Sequence, residues 1–363
     1  TDVPGMIKKF DATLQKDYQL LNTSKFNYKT DFPAAKAKWE KLIKEMPLIA
    51  KYPEMIEQTL KQLGKSSPAA IATEKTAATK LLAGAAGDLD KYLAAYTTLK
   101  AKRLEAMSKL TALDFDSILI NRNPPTKYSH NGDQHLGRHS RIGKGLTIIS
   151  DWKSGNPKVK TILEGKMPPG SYRNPDLSYD GKRVLFAFCD HTRKGHKRFF
   201  LYEAALDGST VRQITGTPRD PLKTSGDRAT VIIEDNDPCY LPDGGIVFIS
   251  SRCQSFGRCH GGRYNPAWNL HRCDKNGDNI EQLSYANENE VEPAVLNDGR
   301  IVFTRWEYTN RHEMWFHKLW WCRPDGTGVA HFFGNDMVIP HQFLEATAIP
   351  GTHKVVCTAQ GHH

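Results

Sequence analysis

The chain has 363 residues, a formal net charge of +10, 39% hydrophobic residues and 25% charged residues, the balance of an ordinary globular protein with apolar side chains for more than one core. It contains no run of about 18 apolar residues, which excludes a membrane-spanning helix. Lys and Arg are spread from Lys8 to Lys354 with no aromatic-interleaved basic helix and no zinc-finger spacing, so nucleic acid is not an expected partner.

The remaining excess of positive charge fits either a plain basic surface or an anionic partner, such as a polyanionic glycan or an acidic redox protein. The sequence begins at Thr1 rather than Met, as a processed or trimmed product would.

Residues 1–113 read as a helical bundle. Pro33 opens a run in which Trp39, Leu42, Ile43 and Met46 recur at helical spacing. Pro53 opens a second, with Ile56, Leu60 and Leu63 aligned and Gly64 as its stop. Ser67 and Pro68 form an N-cap followed by proline at the first helical position, where its missing N–H costs nothing. Asp88 caps the longest run, whose Leu89, Tyr92, Leu93, Tyr96 and Leu99 form an apolar stripe that needs a partner. The alanines Ala69, Ala70, Ala77, Ala78, Ala83, Ala85 and Ala86 would permit close helix approach. No ionisable constellation marks these faces, so the bundle reads as a docking, spacing or purely structural unit.

Residues 114–145 read as a linker that carries a candidate metal loop, and residues 146–363 as strands. Three stretches share one pattern: Asn174 to Phe188, Asn236 to Ser250, and Glu290 to Thr304. Each has a proline, a short apolar strand, an Asp-Gly turn and a second apolar strand. Asp-Gly suits a tight hairpin because glycine adopts positive φ without penalty. A second hairpin follows each: Phe200 to Ile214, Leu270 to Leu283, and Leu319 to Phe332. Two hairpins make a four-stranded blade, and the first turns recur at Gly181, Gly244 and Gly299, a period of roughly 55 to 63 residues.

That period is longer than the 40–50 residues of common blade repeats, and the excess lies between the second and third strands. Residues 145–152 and 159–163 read as two strands of a partial blade before the repeats, and Leu344 to Thr358 as the start of another after them. The expected fold is therefore α+β and multidomain: an N-terminal helical bundle followed by an all-β propeller that is incomplete in this chain. Propellers close with 4–8 blades, so another chain or a further segment is expected to complete the ring.

Two loops could carry chemistry. One is His130 to Gly143, with three histidines, Asp133 and Arg138; the other is Ser251 to Arg263, with Arg258, Cys259 and His260. Thiolate, imidazole and carboxylate are the ligand types zinc favours, but neither loop has the spacing of a local zinc motif, so a site requires the two loops to meet. The competing readings are a packed thiol at Cys259 with solvated histidines, or a Cys253–Cys259 disulfide in an oxidising compartment. The seven cysteines include no C-x-x-C and no C-x-x-C-H, so the chain has no c-type haem attachment site of its own. Cys189, inside Val184 to Cys189, reads as a small buried hydrophobe.

Six segments in this order carry a resemblance: Gly132-Asp-Gln-His-Leu-Gly-Arg138, Pro175 to Lys182, Asp237 to Gly244, Phe256-Gly-Arg-Cys-His-Gly261, Ile301 to Tyr308, and Ile349 to His353 with Gly361-His-His363. From about Asn131 onward the chain resembles the propeller family of the hydrazine synthase alpha subunit and its relatives; the helical part lies outside the resemblance. The resemblance implies a TolB-type propeller in a periplasmic or secreted protein. It further implies a zinc ion held by an Asp and a Cys whose positions here are Asp133 and Cys259, with His135 and Leu136 where aromatics are usual.

His260 is the next candidate ligand, with His130, His135, His362 and His363 as others. Arg138 and Arg258 would meet anionic groups such as haem propionates. A c-type haem is expected only if an attachment motif lies outside this chain. The expected function is a metal-binding subunit of a haem-containing redox complex acting on small nitrogen compounds, an oxidoreductase with a possible redox partner. Two other classes stay open. One is a propeller lyase or hydrolase on anionic glycans, with Trp306, Trp315, Trp320, Trp321, His341 and Gln342 in a groove. The other is a non-catalytic protein-binding propeller.

Overall fold

The computed structural model describes residues 49–85, 89–110, 113–125, 140–154, 156–193, 198–220, 233–255, 257, 266–308 and 316–361. The chain divides into two compact units: Thr1–Ile118 with Ser150–Lys158, and Leu119–Ile149 with Val159–His363.

Three helices are described in the first unit: α1 (Tyr52–Leu63), α2 (Pro68–Gly84) and α3 (Leu89–Met107). Local chemistry sets their ends as the sequence requires. Gly64 ends α1 in the left-handed conformation at φ 62°, and its N–H donates to Lys61 O. Ser67 Oγ accepts the Ala70 N–H at 3.2 Å at the start of α2, with Pro68 next in line. Ile56, Leu82, Tyr92 and Leu99 meet in one core, joined by Ile49, Tyr52, Ala78 and Ala85.

The alanines are used more sparingly than expected. Ala78 and Ala85 are buried, but Ala69, Ala70, Ala77 and Ala83 are exposed, because α2 buries only the narrow line of Ile71, Ala78 and Leu82. The run from Pro33 to Met46, Ala86 and the Asp88 cap lie outside the described residues.

The second unit is built of antiparallel sheets. Two have four strands in sequence order, β4 (Gly170–Leu177) to β7 (Val211–Gln213) and β8 (Asp235–Tyr240) to β11 (Glu281–Gln282); a third has six, of which β12 (Glu290–Val295) to β15 (Ala330–Phe333) run in the same sequence order. Between their ends run β5 (Arg183–Asp190), β6 (Phe199–Ala205), β9 (Ile246–Ser250), β10 (Asn269–Cys273), β13 (Ile301–Trp306) and β14 (His317–Cys322). These are the three repeats read from the sequence. First strands neighbour one another from sheet to sheet, β4 with β8, β8 with β12, and β12 with β16 (Gln342–Ala348), so they converge on a common axis as blades do. All six hairpin glycines have positive φ: Gly181, Gly244 and Gly299 in the inner turns, and Gly208, Gly277 and Gly326 in the outer ones.

The core is a series of layers between successive sheets. One layer joins Leu185, Ala187 and Leu201 to Tyr240, Ile246 and Phe248; the next joins Val247, Ile249 and Leu270 to Val291, Ile301 and Phe303. A partial sheet precedes the repeats, in the order β1 (Ser117–Arg122), β2 (Gly145–Ser150), β3 (Lys158–Thr161). Strands β2 and β3 match the expected pair. Strand β1 lies in the stretch read as linker, where the six-residue run has no Asp-Gly turn to announce it. After the repeats, β16 and β17 (Val355–Gln360) form a hairpin through Gly351, and β16 meets β14 at the single parallel pair His317–Gln342.

Candidate functional site

Strand direction alternates across each sheet, so the Asp-Gly turns gather at one end, and the insertions between second and third strands gather at the other. The partial sheet follows the same plan. Ile162 donates to Leu146 O at 3.0 Å, as Ile214 does to Leu201 O at 2.7 Å and Leu283 to Leu270 O at 2.8 Å. This makes β1, β2 and β3 the second, third and fourth strands of a blade. The β1–β2 connection, which contains Asp133 and Arg138, and the β9–β10 connection, which contains Arg258, Cys259 and His260, are thus equivalent insertions anchored at the same end. Those five residues, and His130, His135, His362 and His363, lie outside the described residues. Among the described residues, no group of three or more His, Cys, Asp or Glu side chains is arranged to hold a metal.

The anchors of the β9–β10 insertion are strongly held. Arg252, two residues after β9, is buried and reaches two carboxylates: Asp235 Oδ2 at 2.7 Å and Asp220 Oδ1 at 2.6 Å. Ser250 Oγ donates to Asp235 Oδ1 at 2.6 Å. The next sheet repeats the device, with Arg305 Nη2 at 2.6 Å from the buried Glu290. The anchors of the β1–β2 insertion are lighter: Asn123 Nδ2 donates to Tyr172 O, and Ser171 Oγ donates to Arg141 O at 2.9 Å.

A second constellation lines the common axis. Each first strand slips register once, between Arg173 and Asp176, Asn236 and Cys239, Val291 and Ala294, and Leu344 and Thr347. At each slip sits a polar residue with positive φ: Asn174, Asp237, Glu292 and Glu345. The side chains of the first three bridge neighbouring first strands. Asn174 Nδ2 donates to the Asp237 carboxylate, the Glu292 N–H donates to Asp237 Oδ2 at 3.0 Å, and the Glu345 N–H donates to Glu292 Oε2 at 2.6 Å.

Arg173 lies beside this ladder. Burial lowers its pKa, and the charges of Asp237, Glu292 and Glu234 oppose that effect. Asp176 is pushed up by burial although the Tyr240 N–H donates to it at 2.8 Å. The Asp237 and Glu292 carboxylates bridge neighbouring first strands, and the Glu345 carboxylate accepts from Thr358 Oγ1 at 3.0 Å in its own hairpin. The sequence reading did not single them out, yet a signal was present: a polar residue followed by proline at Asn174, Asp237 and Glu292.

The described cysteines behave as packed thiols. Burial raises Cys239 well above the usual thiol range, pushes Cys273 and Cys322 up to about 12, and raises Cys253 and Cys357. The Cys253 thiol donates to Ala267 O at 3.3 Å, and Cys259, the other half of the disulfide read from the sequence, lies outside the described residues. Burial lowers His271, which therefore stays neutral at physiological pH. We expect a neutral-pH thiol reagent to leave Cys239, Cys273 and Cys322 unmodified in the folded protein and to label them on unfolding in urea. Fast labelling of any of the three under native conditions would contradict their burial.

Of the tryptophans read as a glycan groove, one is buried, two are half-buried and one lies outside the described residues. Trp306 is buried and stacks on His317 with ring centroids 4.9 Å apart. Trp320 lies under the Arg305 guanidinium at 4.1 Å and Trp321 under that of Arg300 at 4.4 Å, while Trp315 is outside the described residues. Gln342 is buried and contacts His317 Nδ1 at 3.1 Å.

No protein-family model matches the sequence, and no curated protein is similar to it. Among solved structures, the chain is similar to hydrazine synthase of Kuenenia stuttgartiensis, with 17% identity and a TM-score of 0.50 over 68% of this chain. It spans about a third of that chain's length, 35%. TolB from Acinetobacter baumannii is similar at 15% identity and a TM-score of 0.42, over 76% of this chain and 54% of that one. A manganese complex of oligogalacturonate lyase is similar at 11% identity and a TM-score of 0.33, over 51% and 49%. At these identities the hydrazine synthase likeness establishes the fold alone, and the second unit is a β-propeller arrangement.

Proposed function

We propose that the chain is an extracytoplasmic propeller subunit that binds one zinc ion between two of its enlarged insertions. Asp133 and Cys259 are the first ligands and His260 the next. The single observation that supports this reading is topological: the two segments, 126 residues apart in sequence, are equivalent insertions anchored at one end of the sheets. The donor set also suits the ion, since carboxylate, thiolate and imidazole are its common ligands. Cys259 then differs in kind from the packed thiols of the strands, because a metal-bound cysteine is deprotonated.

Arg138 and Arg258, in the same two insertions, hold an anionic group beside the metal, and haem propionates are the group of that chemistry. Haem would supply electron transfer, with zinc as Lewis acid or anchor, and the substrates would be small nitrogen compounds. A c-type haem requires an attachment segment from outside these residues.

The test is metal analysis of the purified protein. We expect near one zinc per chain, falling to a small fraction in Asp133→Ala and in Cys259→Ser, with thermal stability of the strands unchanged. Protein that carries no transition metal after purification, and takes up none when supplied with zinc, would sink the proposal.

A further inference from the structure

The turn end of the sheets, opposite the enlarged insertions, carries a feature that the zinc reading does not use. A cavity of about 380 Å3 opens there between the β8–β11 and β12–β15 repeats. Pro242 and Asp243 line it from one inner turn, Asp298 and Arg300 from the next, and Arg323 and Pro324 from an outer turn. Its volume is at the small end of the range for small-molecule sites.

One change in the repeat sets this junction apart. The same hydrogen bond closes each inner turn: the Ser178 N–H donates to Arg183 O, the Leu241 N–H to Gly245 O, and the Leu296 N–H to Arg300 O. An arginine therefore holds this position in the first and third repeats, and a glycine in the second. Arg183 pairs with the buried Glu203, and Arg300 stacks on Trp321 at 4.4 Å. With no side chain at Gly245, Arg272 folds across it, and a Cβ there would lie 3.0 Å from Arg272 Nη2. Arg272 donates to Asp243 Oδ2 at 2.9 Å and, across the junction, to Pro324 O at 3.1 Å.

The charges around the cavity do not cancel. Asp243 is matched by Arg272, and Asp298 by Arg300 at 2.6 Å. Arg323 is a third guanidinium beside these two carboxylates. It donates to Thr327 Oγ1 at 3.4 Å, and among the described residues no carboxylate lies within 4.0 Å of it. Asp325 is turned to Thr327 instead, whose N–H and Oγ1 donate to it at 2.9 Å and 2.7 Å.

We propose that this cavity binds a small sugar acid, with the Arg323 guanidinium holding its carboxylate. A guanidinium fork matches a carboxylate through two parallel hydrogen bonds. One uncompensated positive charge suits a monoanion, whereas a phosphate dianion would be repelled by Asp243 and Asp298. Those two aspartates keep lone pairs beyond the ones their arginines use, and these accept hydroxyls of the sugar. The rings of Pro242 and Pro324 supply apolar walls. Arg272 and Arg300 already fix the two aspartates in place, so little ordering accompanies binding.

The test is titration of the full chain with glucuronate, glucose and inorganic phosphate, followed by saturation-transfer NMR. Glucuronate is expected to bind with a Kd on the order of millimolar, and the other two about tenfold or more weaker. Arg323→Gln should weaken glucuronate about tenfold or more, and Arg323→Lys, which keeps the charge without the fork, should recover part of the loss. Arg219→Gln, at an exposed arginine paired with Asp278, should leave binding unchanged. Arg323 is exposed, so thermal unfolding of its variants should match the wild type. Absence of glucuronate binding, equal binding of glucose or of phosphate, or binding that Arg323→Gln leaves intact overturns the proposal. None of these readouts involves a metal, so the zinc reading stands or falls separately.

Discussion

Replacing Arg252 with Ala is expected to destabilise the propeller unit by about 3–5 kcal/mol, the loss that follows when one partner is removed from a buried ion pair. Arg252, Asp220 and Asp235 are all sealed from solvent, and the guanidinium reaches both carboxylates. Without it, two carboxylates are left in a site that water cannot reach. The deficit depends on pH in a defined direction. Stranded carboxylates take up protons more readily in the folded variant than in the unfolded chain. The folded variant therefore gains protons relative to the unfolded state as pH falls, and its stability deficit against the wild type narrows on the acid side and is widest near neutrality.

Adding Asp220→Asn and Asp235→Asn to Arg252→Met should recover part of the loss, because no charge is then buried. Urea unfolding of the four proteins at two pH values checks all of this. An equal deficit at both pH values would contradict the ion-pair account. The expected consequence for function is local as well, since Arg252 anchors the insertion that carries Cys259. Metal content should fall in Arg252→Ala before the strands themselves are lost.

The second large effect is expected at Gly277. Gly277→Ala is predicted to cost about 2–5 kcal/mol, from left-handed backbone strain and from overpacking together. Gly277 sits at φ 82°, and a Cβ there would overlap the carbonyl oxygen of Ile214 on the preceding sheet. That oxygen is backbone, so it cannot swing aside as a flexible side chain could. Gly244 provides the control. It has φ 87° and nothing within reach of an added Cβ, so Gly244→Ala is expected to cost only about 1 kcal/mol, from backbone strain alone. Thermal unfolding of the pair isolates the contact between sheets. Equal shifts in the two variants would show that the outer turns are not seated on the neighbouring blade.

Much of the architecture was legible because its signals are local. Gly64, Ser67 and Pro68 mark helix ends through the conformations and hydrogen bonds of their immediate neighbours. The Asp-Gly turns at Gly181, Gly244 and Gly299 impose hairpins through the φ of one residue. Alternating apolar strands on either side then follow, and the repeat emerges from three copies of the same local instruction. Strand β1 was not legible. Ser117 to Arg122 has no turn signal and no proline, and it became a strand because β2 offered an edge to pair with. The linker reading rested on composition, which carries no information about such an edge.

The candidate site divided in the same way. The residue types at Asp133, Cys259 and His260 were open to inspection, and their equivalence as two insertions at one end required the strand order. The ladder of Asn174, Asp237, Glu292 and Glu345 left a trace in the polar-proline dipeptides, but its meaning came only when the first strands were found side by side. The tryptophans were ambiguous by composition, and the structure buries Trp306 against His317.

The sequence by itself determined the helices, the hairpins, the blade repeat and the residue types available for chemistry, because turn conformation, capping and alternation act between neighbours. Tertiary structure decided which distant groups meet: Arg252 with Asp220 and Asp235, Gly277 with Ile214, and Asp237 with Asn174 and Glu292. Those pairings depend on sheet register and on how one blade stacks on the next. Both are shared properties of segments tens of residues apart, and neither segment encodes them alone.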